Sequence, residues 1–366
     1  GLSRELSLRF AAAGFVVFAQ CSSESTLPTL LYRWQSLKSR RRSSASNDSE
    51  GEDLWGSDTE QKERRWGSLH PLVFQTSNSG EREKALDTIR AYCRNNKLIL
   101  AALINVVESS TARSVPRTFS SSDMTRSRSS SSESTGKSNV KKMSPGHDYY
   151  SEIPIPLSIA TEDHLAELTK EVNVSLTIVQ DLMDLLRNDK GRVMNIWASS
   201  GSAGLGPLPS GALSVPEAAF RSMTRTLAFE LSPFGIAVSL VLPGASTMSH
   251  ASRSEMEHLD PTQPTVSVTN DVRSILSVDA NPFVRSVFDT QVKVTQTLGK
   301  WISAWKVDDG LIFTVVRNAI EIDYPRFCYP IGIDQLFASW AHGLVPNFVL
   351  GWIHEKLYHS HKKWSK

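Results

Sequence analysis

The chain has 366 residues, a formal net charge of +2 and 40% hydrophobic residues. That length accommodates one large α/β domain with insertions, or two small domains. The near-neutral balance excludes a global electrostatic footprint for nucleic acid, and no apolar run approaches the roughly 20 residues of a membrane-spanning helix. Cys21, Cys93 and Cys328 are far apart and form neither a disulfide framework nor a zinc spacing. A reducing compartment follows, so the expected location is the cytoplasm or the cytoplasmic face of an intracellular membrane.

Gly1 opens directly into a helical pattern, with Leu2, Leu6, Phe10 and Ala13 on one face. The sequence therefore reads as a fragment whose N-terminal strand is missing, and a targeting segment could precede it. Gly14 ends the helix, and Phe15-Val16-Val17-Phe18-Ala19 reads as a buried strand. Residues 33–69 turn polar, with Arg40-Arg41-Arg42 ahead of serines and an acidic patch, and read as a disordered insert. Pro71-Leu72-Val73-Phe74 is a short strand, 81–94 a helix, and 98–107 a second buried strand. Residues 109–146 are serine-rich, too polar to pack, and form a second insert.

Order resumes with a helix N-capped by Thr161, carrying Leu165, Leu168, Val172, Leu176, Val179, Leu182 and Leu186. Residues 192–197 form a strand, 201–211 a Gly/Ser/Pro loop, 215–231 a helix and 236–242 a buried strand ending at Pro243-Gly244. Residues 251–300 are a variable insert. A helix follows at 311–320, then a Pro-punctuated link. The tail to Lys366 sets Trp340, Phe348 and Trp352 ahead of a basic end. It suits either packing over a cleft or peripheral contact with a membrane interface. Alternating strands and helices predict an α/β fold with a doubly wound parallel sheet.

Three consecutive elements carry a family resemblance. Gly191-Arg192-Val193-Met194-Asn195-Ile196-Trp197-Ala198-Ser199-Ser200-Gly201, the helix Ala218-Ala219-Phe220-Arg221-Ser222-Met223-Thr224-Arg225-Thr226-Leu227, and Phe234-Gly235-Ile236-Ala237-Val238-Ser239-Leu240-Val241-Leu242-Pro243-Gly244 resemble the short-chain dehydrogenase/reductase superfamily. Residues 324–332 resemble the C-terminal segment of its steroid- and retinoid-type branch, and serine-rich inserts in such a scaffold resemble a fungal family of unknown function. The resemblance implies one Rossmann-like domain, with 324–366 as a substrate-cap-like segment.

It also implies site residues. Ser200 matches the catalytic serine and Asn173 the helix asparagine. Gly1, Leu2 and Ser3 match the end of the glycine turn that holds a dinucleotide phosphate. Asn105 matches the first residue of an Asn-Asn-Ala-Gly motif, whose last position here is Glu108. Pro243 and Gly244 match the family's Pro-Gly turn and are implied cofactor-binding positions. NAD or NADP is the implied cofactor, although Gln20-Cys21 supplies neither the acid expected for NAD nor the arginine expected for NADP.

The implied chemistry moves a hydride between a nicotinamide and a carbonyl or alcohol carbon. A tyrosine, whose free pKa is about 10, handles the proton, and a lysine one turn away lowers that pKa. Here those positions are Leu213, which has no proton to give, and Glu217, whose charge would raise a neighbouring phenol. The residues alone read Ser214-Val215-Pro216-Glu217 as a capping box. Ser200 equally suits a strand-end backbone bond, and Asn173 a mid-helix bridge. His354 and His359 are spaced one residue too far apart for a zincin helix, and no metal is expected.

Three functions stay open. The first is a catalytically degenerate protein with a regulatory or binding role, whose ligand is NAD(P), a lipid-like small molecule or a second copy of the chain as a homodimer. The second is an oxidoreductase acting on a steroid, retinoid or lipid-like substrate with an atypical proton donor. The third is a scaffold controlled by phosphorylation of its serine-rich inserts.

Overall fold

The computed structural model describes residues 1–47, 66–109, 157–160, 162–199, 211–244 and 307–336, with single residues at 339, 346, 349, 352 and 356. Most of the three inserts, Thr161, Ser200, the 201–210 loop and most of the C-terminal tail lie outside the described residues.

In chain order the elements are α1 (Leu2–Ala12), β1 (Val16–Cys21), α2 (Leu27–Asn47), β2 (Ser68–Val73), α3 (Ser79–Asn96), β3 (Ala102–Ser109), α4 (Glu162–Asp181), α5 (Met183–Asn188), β4 (Arg192–Ser199), α6 (Ser214–Leu231), β5 (Ala237–Pro243), α7 (Asp309–Glu321) and β6 (Cys328–Ile331). All strand pairings are parallel. The strands form two sheets, β1-β2 and β3-β4-β5-β6.

Side-chain alternation in the strands supplies two cores, because successive residues point to opposite faces. Met194 and Ile196 of β4 pack with Leu2, Leu6 and Phe10 of α1 and with Ile312 and Val316 of α7. Val193, one residue out of step, packs instead with Leu86 and Ile89 of α3, Val179 of α4, Leu186 of α5 and Leu227 of α6. Helix α2 joins the α1 side through Leu30 and Trp34. The sheet is therefore covered on both faces, as the alternating pattern predicts. Helix α1 reaches both sheets: Val17 of β1 and Ala102, Ile104 and Val106 of β3 pack against its core.

Four expectations need correction. The polar segment from residue 33 does not begin an insert, because α2 runs through it to Asn47. Trp34 is buried there and lies 5.1 Å from the ring of Trp66, which anchors the otherwise polar helix. The link before residue 332 contains β6, whose Pro330 is tolerated because β6 lies at the sheet edge. The long helix expected from 161 to 186 breaks at Leu182 into α4 and α5.

The fourth correction concerns the capping box. Gly211–Leu213 forms a 3-10 turn that runs straight into α6, so Leu213 is the N-cap residue and its backbone is already helical. Ser214 is therefore inside the helix. Its hydroxyl donates to the Gly211 carbonyl at 2.7 Å instead of capping.

Candidate functional site

In an open parallel sheet, ligands meet the carboxyl ends of the strands. Here those ends are Ser109, Ser199, Pro243 and Ile331, with the start of α1 nearby.

Leu213 is 2% exposed and sits in the turn that leads into α6. Glu217 follows one helical turn later. Its Oε1 accepts from Arg221 Nη2 at 2.6 Å and Nε at 3.1 Å, an i,i+4 pair along α6. This carboxylate is committed to an arginine on its own helix. Leu213 and Glu217 are the positions at which the resemblance expects a phenol and an ammonium, and here they hold a buried leucine and a carboxylate paired with Arg221. Among the described tyrosines, Tyr329 accepts from the Arg326 backbone N–H, Tyr92 meets Phe18 edge-on and His70 at a tilt, and Tyr32 and Tyr324 are exposed.

Asn105 is not at the strand end. It lies within β3, 7% exposed, and its Nδ2 donates to Asn195 Oδ1 at 3.0 Å and to the Ser175 carbonyl at 3.4 Å. Asn195 is fully buried and donates onward to Thr224 Oγ1 at 3.0 Å, and Thr224 donates to the Phe220 carbonyl at 2.7 Å. This chain of polar groups ties β3 and α4 through β4 to α6. Helix α6, which it reaches, is the one that carries Glu217.

Asn173 is exposed on α4, next to the buried Val172, and its carbonyl accepts from Thr177 Oγ1. Pro243 and Gly244 are buried at the end of β5, where Gly244 N–H donates to the Ile331 carbonyl at 2.7 Å. A side chain at Gly244 would overlap the carboxylate of Asp334, a second acid that no motif singles out.

Gly1, Leu2 and Ser3 stand together at the start of α1, but they do different work. Leu2 is a core residue, 5% exposed. Ser3 donates twice to Glu108 Oε1, from its backbone N–H at 2.9 Å and its hydroxyl at 3.1 Å. A side chain at Gly1 would overlap the same carboxylate. Glu108 reaches α1 because Ala102, Ile104 and Val106 already face that helix, and position 108 continues the alternation. A dinucleotide pyrophosphate would need these helix-start N–H groups. The residues present do not fit it, since one such group is taken by a carboxylate and Ser3 adds bulk. At the end of β1, Gln20 Nε2 donates to the Phe74 carbonyl and Cys21 is buried.

No group of three or more His, Cys, Asp or Glu that could hold a metal ion occurs among the described residues. None of the described helices is long and apolar enough to cross a membrane.

Comparison with solved structures identifies the architecture. A short-chain dehydrogenase from Streptomyces avermitilis superposes with a TM-score of 0.50 at 16% identity, covering 100% of this chain and 93% of that one. The chain has the short-chain dehydrogenase fold. Weaker similarity is found to a short-chain dehydrogenase/reductase from Burkholderia xenovorans (TM-score 0.43, 13% identity, 70% of this chain and 74% of that one). A metagenomic short-chain oxidoreductase in complex with NADP gives 0.41 at 13% identity over 72% and 86% of the two chains.

No family model matches the chain. Among curated proteins, 94 residues are 35% identical to 3-amino-tetrahydro-pyrrolizinone reductase from Xenorhabdus hominickii, which is 25% of this chain and 32% of that protein. The chain thus aligns with about a third of the length of the curated relative it matches.

Proposed function

We propose that this short-chain dehydrogenase-like protein has lost the hydride-transfer chemistry of its fold relatives and acts by binding, in a regulatory role, a lipid-like small molecule or a second copy of itself. One observation carries the reading. Leu213 is buried and Glu217 is paired with Arg221 at the two positions where the resemblance expects a phenol and an ammonium. Neither can act. Leucine has no proton to transfer, and a carboxylate favours the protonated form of any phenol beside it. Loss of one positioned acid/base group lowers a rate by a factor of about 10²–10⁴, and two are absent here.

The test is turnover of the whole unaltered chain with NADH and NADPH against ketosteroid, retinoid and 3-ketoacyl substrates. The expected result is no enzyme-dependent change in reduced cofactor. Robust turnover would remove the reading.

The similarity to a reductase over 94 residues favours a second reading. In it the chain is an NAD(P)-dependent oxidoreductase whose proton donor comes from elsewhere in the protein. The same screen decides between the two.

A further inference from the structure

We infer that Glu108 is an internal anion that occupies the phosphate position at the start of α1 and thereby excludes dinucleotides. A helix start gathers N–H groups with no partner in the helix and a partial positive charge, and it attracts phosphates or carboxylates alike. In this chain the carboxylate comes from within, 105 positions away in sequence.

Three independent features fit a built contact. Glu108 Oε1 accepts from both the N–H and the hydroxyl of Ser3. Gly1 has no side chain at the point where one would strike Glu108. The β3 alternation directs position 108 to the α1 face, so the approach needs no distortion of the strand. A phosphate entering this space would displace the carboxylate or sit against its negative charge. Either route lowers its affinity.

The inference rests on the same fold assignment as the proposed function, but not on Leu213 or Glu217. Its experiment reads binding, not turnover. NADPH and inorganic pyrophosphate are titrated calorimetrically into the whole unaltered chain, Glu108→Gln and Glu108→Gly, with circular dichroism to establish that each variant is folded. Glu108→Gln keeps the length and an acceptor oxygen but removes the charge, and Glu108→Gly also clears the space.

The expected order of affinity is Glu108→Gly above Glu108→Gln above the unaltered chain. The full step should be at least about tenfold, from the helix-end charge and the removed repulsion together. Equal binding by all three chains, or no gain in either folded variant, would overturn the inference. Micromolar binding by the unaltered chain without turnover overturns this inference alone and leaves the proposed function standing. Turnover overturns the proposed function, and the affinity ranking still judges this one.

Discussion

Replacing Asn195 with alanine should destabilise the fold by about 3–5 kcal/mol. The side chain is fully buried and makes two hydrogen bonds, one from Asn105 and one to Thr224, both at 3.0 Å. Asn105 would keep only its 3.4 Å bond to the Ser175 carbonyl, so its buried amide bears most of the penalty for a lost partner, about 1–3 kcal/mol. Thr224 loses less, because its hydroxyl still donates to the Phe220 carbonyl. The missing amide leaves a small void that adds about 1 kcal/mol.

Against a total domain stability of about 5–15 kcal/mol, that loss is large. Urea unfolding followed by far-ultraviolet circular dichroism measures it. The companion variant Thr224→Val should cost less, about 1–3 kcal/mol. Combined with Asn195→Ala it should fall short of the sum by about 1 kcal/mol, because both delete the same bond. A cost below about 1 kcal/mol for Asn195→Ala, or full additivity with Thr224→Val, would refute the network as the tie between β4 and α6.

Two further predictions concern backbone and thiols. Lys97, the C-cap residue of α3, holds a left-handed conformation at φ 52°. A side chain there costs about 1–2 kcal/mol. Lys97→Gly should therefore raise stability by about 0.5–1 kcal/mol after the added freedom of the unfolded chain, seen as a Tm increase of about 1–3 °C. Burial raises the thiol pKa of Cys93, with Asp189 adding to it, and burial likewise raises Cys328 against the opposing charge of Arg221. The folded chain thus keeps these protons longer than the unfolded one. Their contribution is full below the ordinary value of 9.0 and is lost as pH rises through the folded values. Tm should fall as pH rises past the ordinary thiol value of 9.0, and less steeply in Cys93→Ala/Cys328→Ala; identical slopes would contradict the assignment.

The elements that sequence periodicity located well are those whose side chains are sorted by one core. The helix starting at Leu2, the strands around Val193 and Leu240, and the helix carrying Phe220 and Leu227 all show the apolar spacing of a face or a fully buried run. Helix α2 escaped because its apolar residues, Leu30 and Trp34 among them, lie toward its start while its second half is polar in composition. Strand β6 escaped because Pro330 reads as a breaker unless the strand is known to lie at an edge.

The site was legible only where identity decides chemistry. Leu213 lacks a proton in any fold. The commitment of Glu217 to Arg221 was available from the i,i+4 spacing, but the capping pattern competed with it, and only the 3-10 turn before α6 settles which prevails. Glu108 and Asp334 could not be placed from sequence, because their meaning lies in contacts with Ser3 and Gly244 that bring distant segments together. The alternation through Val106 did point position 108 to one face, and that was the available signal.

Hydride transfer itself is the most direct test of the central claim. NADPH and NADH carrying deuterium at the transferable position would be incubated for long times with the whole unaltered chain and a panel of carbonyl substrates, and the products examined by mass spectrometry. The absence of a proton donor at Leu213 and of an ammonium at Glu217 predicts no deuterium in any product above the level without protein. Stereospecific deuterium incorporation that depends on the protein would contradict the account.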